Sequence, residues 1–318
     1  MKGNMWKYIL KKLLLAIPVL LGITIIDYAI MSLAGSPLDM MVGPRVSEAA
    51  KEARAAQWGL NQPVWAQYWT WLTQVLQGNL GYSYKSYQPV SELIGSHVGP
   101  TLLLMGVSMV LGLLIAIPAG IYSAVHRYKK RDYAVVSASF LLSSIPGFFL
   151  ALVLIYFFTV RLGWLPSSGM YTPGTGGDAG DILRHMIQPA LVLAFGVAGG
   201  NIRYIRSSVL EILEMDYLRT ATAKGLGRRI VIRRHAFRNA LLPIVTVIGM
   251  QIPTLFGGAV IVEQIFSWPG LGLITMSAVM GRDYPVIMGV CLLSAVVVQI
   301  SNLATDILYA VVDPTIKY

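Results

Sequence analysis

The sequence predicts an all-α membrane protein with six transmembrane helices and both chain ends in the cytoplasm. Three observations carry that expectation. The 318 residues are 55% hydrophobic and only 13% charged, where a soluble domain carries about 25% charged residues. The apolar residues fall in blocks of about 20, the length a helix needs to cross a hydrocarbon core. The formal net charge of +10 is distributed very unevenly along the chain. A soluble enzyme, a disordered chain and a disulfide-stapled secreted module all fit this composition poorly. The single cysteine, Cys291, lies in an apolar run, which provides neither a disulfide framework nor a cysteine metal cluster.

The six spans are expected at 13–33, 101–125, 133–160, 186–202, 240–262 and 286–312. They are read as helices because a lone segment in lipid must satisfy its own backbone hydrogen bonds. The alternating ten-residue strands of a transmembrane barrel are absent. Pro18, Pro118, Pro146, Pro189, Pro243 and Pro253 lie within or at the ends of these spans and are expected to kink them. The first span follows Lys2, Lys7, Lys11 and Lys12. Its apolar run exceeds a signal-peptide core and Ala34-Gly35-Ser36 is an imperfect cleavage site, so it is read as a retained anchor.

Orientation follows from lysine and arginine. Segment 1–12 holds four, loop 126–132 four and loop 203–239 nine, whereas loops 161–184 and 264–284 hold two and one. Segment 34–100 also has four, but is too long for its charges to direct topology. The positive-inside rule therefore places 1–12, 126–132, 203–239 and the tail 313–318 in the cytoplasm. Those segments hold eighteen basic and five acidic residues, a net of +13; the external segments hold seven of each. The excess faces the side where anionic lipids and cytoplasmic partners are found.

The external segment 34–100 has helical signals of its own. Ser47 can cap a helix over 48–58 that ends at Gly59. A second helix over 64–77 places Trp65, Trp69, Leu72 and Leu76 on one stripe. Four of the seven tryptophans, Trp58, Trp65, Trp69 and Trp71, cluster here, while Trp6, Trp164 and Trp268 lie at span ends. This is an interfacial scaffold or a docking platform for an external partner. The glycine-rich outer loop 161–184 is expected to be flexible.

Several chemistries have no motif. There is no G-x-x-x-x-G-K-[ST] phosphate loop, so the chain is not expected to hydrolyse ATP. His97, His126, His185 and His235 are scattered without ligand spacing, and no metal site is expected; no G-x-S-x-G elbow marks a serine hydrolase. Intramembrane polar groups are functional candidates by default. Asp27, Glu263 and Asp306 lie in or beside spans, and Asn302 and Gln299 lie one and two turns before Asp306. Asn201, Gln251, Gln299 and Asn302 are the candidate pathway-lining residues, with helix–helix contact as the competing reading.

The loop 203–239 has the clearest local design. Asp216 is an N-cap candidate and Gly225 a C-cap candidate, with Lys224 in the last turn where a helix dipole favours a cation. A helix of about eight residues, some 12 Å long, fits between them. Tyr217, Leu218 and Arg219 open it, and the small side chains of Thr220, Ala221, Thr222 and Ala223 allow close approach of a partner. Gly225, Leu226 and Gly227 then turn the chain. From residue types alone, this basic loop reads as facing anionic lipid, with nucleic acid as the alternative.

The run ATAKGLG (221–227), followed by RNALLPIV (238–245), resembles the coupling loop of ABC importer permeases. Ala221, Ala223, Gly225, Leu242 and Pro243 match that frame, and Thr220 stands where the wider family has a glutamate. GLNQPVWAQYWTWL with GNLGYSY (59–72 and 78–84), EQIFSWPGLG (263–272) and DPTIKY (313–318) resemble the permeases of dipeptide, oligopeptide and nickel importers. The resemblance spans essentially the whole chain. It implies one of two homologous permeases in the inner or plasma membrane of a prokaryote, with cytoplasmic end 1–12, span 13–33, outer segment 34–100, permease core 101–312 and tail 313–318. It implies two cytoplasmic ATPase subunits, which would use ATP and Mg, and an external substrate-binding protein, with Asp216 to Gly227 as the coupling element. It implies no cofactor on this chain and no nucleic acid. Peptides are the commonest cargo of that branch; nickel chelates, glutathione-like thiols and oligosaccharides use similar permeases. An ion-coupled secondary carrier or channel and a membrane-bound assembly subunit are the competing classes.

Overall fold

The computed structural model describes residues 2–40, 47–217 and 260–312, with single positions at 247, 249 and 251. Its elements are helical: α1 (Lys2–Leu33), α2 (Glu48–Gln57), α3 (Val64–Leu76), α4 (Val90–Val125), α5 (Lys130–Ser144), α6 (Gly147–Leu154), α7 (Ala179–Leu213), α8 (Val260–Ile265), α9 (Leu271–Gly281) and α10 (Tyr284–Val312). Among the described residues the only β-type pairing is the isolated bridge Tyr82–Pro89. Among the described residues, four helices are long and apolar enough to cross a membrane. A fifth crossing is available if the bent α5–α6 pair counts as one. Most of the span expected at 240–262 lies outside the described residues, as do 218–246 and 313–318.

Helix lengths depart from the hydropathy blocks. α4 starts at Val90 rather than 101, and α7 runs from Ala179 to Leu213 rather than over 186–202. Hydropathy marks which residues tolerate lipid, whereas an α-helix continues wherever its backbone bonds and caps allow. Arg203 and Arg206, tallied above as loop charges, consequently belong to α7. The third expected span is broken: α5 and the helical stretch after it, Gly147–Arg161, meet at 95°. Pro146 has no N–H to donate and pushes Ile145 into an extended conformation (φ −75°, ψ 120°), which ends α5. Pro18 and Pro189, by contrast, lie inside intact helices.

The chain divides into two compact units. One comprises 1–100 and 269–300, and the other 101–268 and 301–317. In the first unit α1 presents lipid-suited side chains such as Leu14, Ile17, Ile26 and Ile30 at its surface. The expected cap of α2 is present: Ser47 Oγ accepts from Ala50 N–H at 3.2 Å. The helix closes with Leu60 N–H to Ala55 carbonyl at 2.9 Å and Gly59 N–H to Ala56 carbonyl at 3.2 Å. Gly59 takes φ +70°, the left-handed conformation this ending requires. α3 follows, and its Trp65, Trp69 and Leu76 are 74%, 63% and 79% exposed; that stripe is a surface, with Leu72 half-buried beside it.

In the second unit, α4, α5 and α7 pack backbone to backbone. A Cβ built on Gly120 would lie 2.9 Å from the Ile202 carbonyl and 2.9 Å from Ile205 Cβ. One on Gly112 would meet Val197 at 2.7 Å, and one on Gly199 would meet the Ser143 amide at 3.0 Å. Small residues at helix contacts are how membrane helices approach closely. Ile202 and Ile205 are buried there, so Gly120→Leu has no space to occupy. We expect an overpacking cost of about 1–3 kcal/mol, read as a lower unfolding temperature in detergent. An unchanged temperature would contradict this packing.

Candidate functional site

The second unit carries its clearest polar architecture at the basic end of α4, α5 and α7. Asp132, in the first turn of α5, is 2% exposed. Arg206 of α7 grips it with two bonds, Nε to Oδ1 at 2.7 Å and Nη2 to Oδ2 at 2.8 Å. Ser123 Oγ of α4 also donates to Asp132, and Tyr128 N–H donates at 3.0 Å. This carboxylate therefore ties three helices and the turn 126–129 together, in the forked geometry that makes arginine pairs strong. One turn earlier on α7, Arg203 donates to the Ser139 carbonyl at 3.1 Å and Ser143 Oγ at 3.0 Å. Its guanidinium also lies 4.6 Å from the Phe140 ring centre. Arg127 pairs with Glu214, whose exposed setting gives that pair little weight in stability.

This laced end is where the predicted coupling loop departs. α7 ends at Leu213, Glu214 and Met215 interrupt it, and helical backbone resumes at Asp216 and Tyr217, both exposed. Asp216 thus sits in a first turn rather than at the cap, still where an acidic group suits the helix dipole. Leu218, Arg219, Thr220, Ala221, Thr222, Ala223, Lys224, Gly225, Leu226 and Gly227 lie outside the described residues, as do Leu242 and Pro243. What sequence reasoning missed is the clamp behind the loop. Asp132 and Arg206 are far apart in sequence, and the only local signal is an arginine just past an apolar block.

Of the pathway candidates, Asn201 lies on α7, and Gln299 and Asn302 on α10. Asn201 donates its amide to the Val197 carbonyl of its own helix at 2.8 Å. Gln251 is half-buried, Gln299 is half-buried on α10 and Asn302 is exposed on that helix. Glu263 is fully buried and accepts from Thr101 Oγ1 at 2.9 Å, a helix-to-helix bond. Asp27 lies against Cys291, with its Oδ2 buried and unpartnered. The glycine-rich loop 161–184 is held more closely than expected. Asp181 accepts from Thr172 N–H at 2.6 Å and from Thr175 Oγ1 at 3.1 Å, and His185 Nδ1 lies 3.0 Å from the Ser168 carbonyl.

In the first unit, Asp283 organises the segment 34–100. It is 3% exposed and accepts from Ser83 Oγ and, at 2.9 Å, from Tyr84 N–H. Its neighbour Arg282 takes the left-handed conformation at φ 50° and bonds Asp39 and, at 3.0 Å, the Ser36 carbonyl. Tyr284 OH donates to the Gly35 carbonyl. Trp58 stacks on Tyr84 with ring centres 4.1 Å apart. Burial, followed by the proximity of Tyr28, Asp283 and Tyr284, raises the Tyr84 phenol well above its usual range, so it stays neutral. Tyr28, Trp58, Ser83, Tyr84 and Tyr284 border a cavity of about 580 Å³. No group of three or more His, Cys, Asp or Glu placed to hold a metal occurs among the described residues.

The chain resembles known transport proteins throughout its length. Residues 116–318 match the family described as binding-protein-dependent transport system inner membrane component, and residues 5–105 match that family's N-terminal model. The oligopeptide transport system permease protein AppB of Bacillus subtilis is 46% identical over 313 residues, covering 98% of this chain and 99% of that one. The glutathione transport system permease protein GsiC of Salmonella choleraesuis is 39% identical over 315 residues, covering 99% and 100%. Among solved structures, the inward-facing MetNI methionine ABC transporter aligns with a TM-score of 0.57 at 22% identity, over 70% of this chain and 97% of that one. That likeness concerns the fold. The chain belongs to the binding-protein-dependent transport system inner membrane components: it is a multi-pass inner-membrane permease subunit of an ABC importer.

Proposed function

We propose that this permease moves peptides, with its ends in the cytoplasm and six spans in the membrane. The carrying observation is end-to-end relationship, at 46% identity, to a permease named for oligopeptide transport. The charge asymmetry supports the orientation, because the loops at the clamped end hold the basic excess that the positive-inside rule assigns to the cytoplasm. The partners in this reading are a second homologous permease, two cytoplasmic ATPases that use ATP and Mg, and an external binding protein that delivers the peptide. This chain supplies the pathway and no cofactor.

Coupling runs through the stretch 216–227. Its short helix seats on an ATPase, and the Asp132–Arg206 clamp at the end of α7 transmits its movement to α4 and α5 as a block. A coupled transporter needs an element with two arrangements that both nucleotide and cargo bias. A clamped helix end is a stiff lever for such an element. The exposed tryptophans of α3 lie in the segment that faces the binding protein. Pull-down in mild detergent should recover a second permease and two ATPases, and the associated binding protein should carry peptide. Recovery of the chain without ATPases, or of a binding protein loaded only with sugar or a metal chelate, would overturn the reading.

A further inference from the structure

The cavity in the outer segment has features that the translocation role does not require. It is bordered by α2, α3, the turn 78–87 and the first turns of α10, and its volume of about 580 Å³ falls among those of ligand pockets, about 300–1,000 Å³. Its lining includes no lysine, arginine, histidine, aspartate or glutamate. Amides and aromatic rings dominate instead, among them Gln57, Gln74, Asn79, Trp58 and Trp71. Tyr82 and Tyr87, also in the lining, are exposed and form an open rim.

Much of this wall is already built. Gln67 is fixed by donating to the Gln62 carbonyl at 2.7 Å and accepting from Tyr28 OH at 3.1 Å. Asn79 Oδ1 accepts from Gly81 N–H at 2.9 Å. One donor stands apart: the indole Nε1 of Trp71 is buried and has no hydrogen-bond partner. A buried donor left alone is costly, and native structures meet nearly all such donors with protein, ordered water or a bound group.

We propose that this cavity binds the uncharged main chain of a short peptide, with a peptide carbonyl accepting from Trp71 Nε1. The proposal rests on the peptide-importer reading and adds a site on the outer segment of the permease itself. A peptide carbonyl satisfies the indole without burying a hydroxyl beside it, as a sugar would. The Gln74 amide can donate to and accept from the next peptide unit, and the lack of charged lining residues fits main chain rather than ionic ends. Aromatic faces contribute apolar contact with polar tips.

The test is calorimetric titration of the intact permease–ATPase complex in nanodiscs, without binding protein, using N-acetyl-trialanine amide. Saturable binding is expected, weakened about tenfold by Trp71→Phe, which keeps ring bulk and removes the donor, and likewise by Gln74→Leu. Gln74→Leu serves as the independent variant if Trp71→Phe fails to assemble. No saturable binding to the wild-type complex, or binding unaffected by either variant, would overturn the proposal. Maltotriose displacing the peptide with equal affinity would overturn its peptide class. Vesicle uptake separates this outcome from the wider reading: peptide uptake without cavity binding removes the cavity site alone, while absence of peptide uptake removes the cargo assignment.

Discussion

Gly225→Trp in the assembled importer should abolish stimulation of ATPase activity by the peptide-loaded binding protein, a loss of at least about tenfold, or about 1.4 kcal/mol of coupling. The expectation follows from the chemistry of the stretch 216–227. Asp216 and Tyr217 resume helical backbone after the break at Glu214 and Met215. The coupling helix we propose takes its narrow face from Thr220, Ala221, Thr222 and Ala223 and its end from Gly225. A residue after a helix often takes a left-handed conformation that glycine adopts freely and tryptophan does not. An indole there also props the narrow face away from a partner. The spans should still insert, because none of their apolar residues changes. Gly225→Ala should be milder, since it adds only a methyl group. ATPase stimulation that survives Gly225→Trp would remove the coupling role from this helix.

Arg206→Ala should be the most damaging single change at the basic end. It leaves the Asp132 carboxylate, 2% exposed, with only Ser123 Oγ and the Tyr128 N–H. Removing one partner of a buried pair costs about 3–5 kcal/mol because the other charge stays behind uncompensated. Asp132→Asn in the Arg206→Ala background should recover part of that loss, since a carboxamide carries no charge to desolvate. A double-mutant cycle on unfolding in detergent reads this directly: the double variant should be more stable than Arg206→Ala alone. Additive losses would show that the two side chains do not act together. Loaded-binding-protein stimulation should fall in parallel, because the clamp joins the end of α7 to α4 and α5.

The legible parts of the fold are those written locally. The α2 cap was readable from Ser47 followed by a helical stretch and Gly59, because capping and helix termination depend on a few neighbouring backbone groups. The stripe Trp65, Trp69 and Leu76 was readable from helical spacing, and its exposure suits the interfacial or docking surface expected of it. Helix ends were less legible: α4 begins at Val90 and α7 extends to Leu213, beyond the apolar blocks, because polar residues continue a helix wherever partners satisfy them. Proline alone did not distinguish the break at Pro146 from the continuous helix at Pro189; the difference arises from the backbone around each. The Asp132–Arg206 clamp and the Asp283 node join residues far apart in the chain, and no periodicity encodes such pairs. The cavity was equally silent, since scattered glutamines and tyrosines in a loop segment carry no spacing rule.

ATP dependence of peptide uptake is the most direct measurement. Purified permease complex reconstituted into proteoliposomes, with the binding protein and a labelled peptide outside and ATP sealed inside, should accumulate the peptide. Uptake should cease when ATP is replaced by a non-hydrolysable analogue, and an imposed ion gradient should not restore it. Accumulation driven by an ion gradient with no ATPase present would contradict an ATP-coupled permease and return this chain to the secondary carriers.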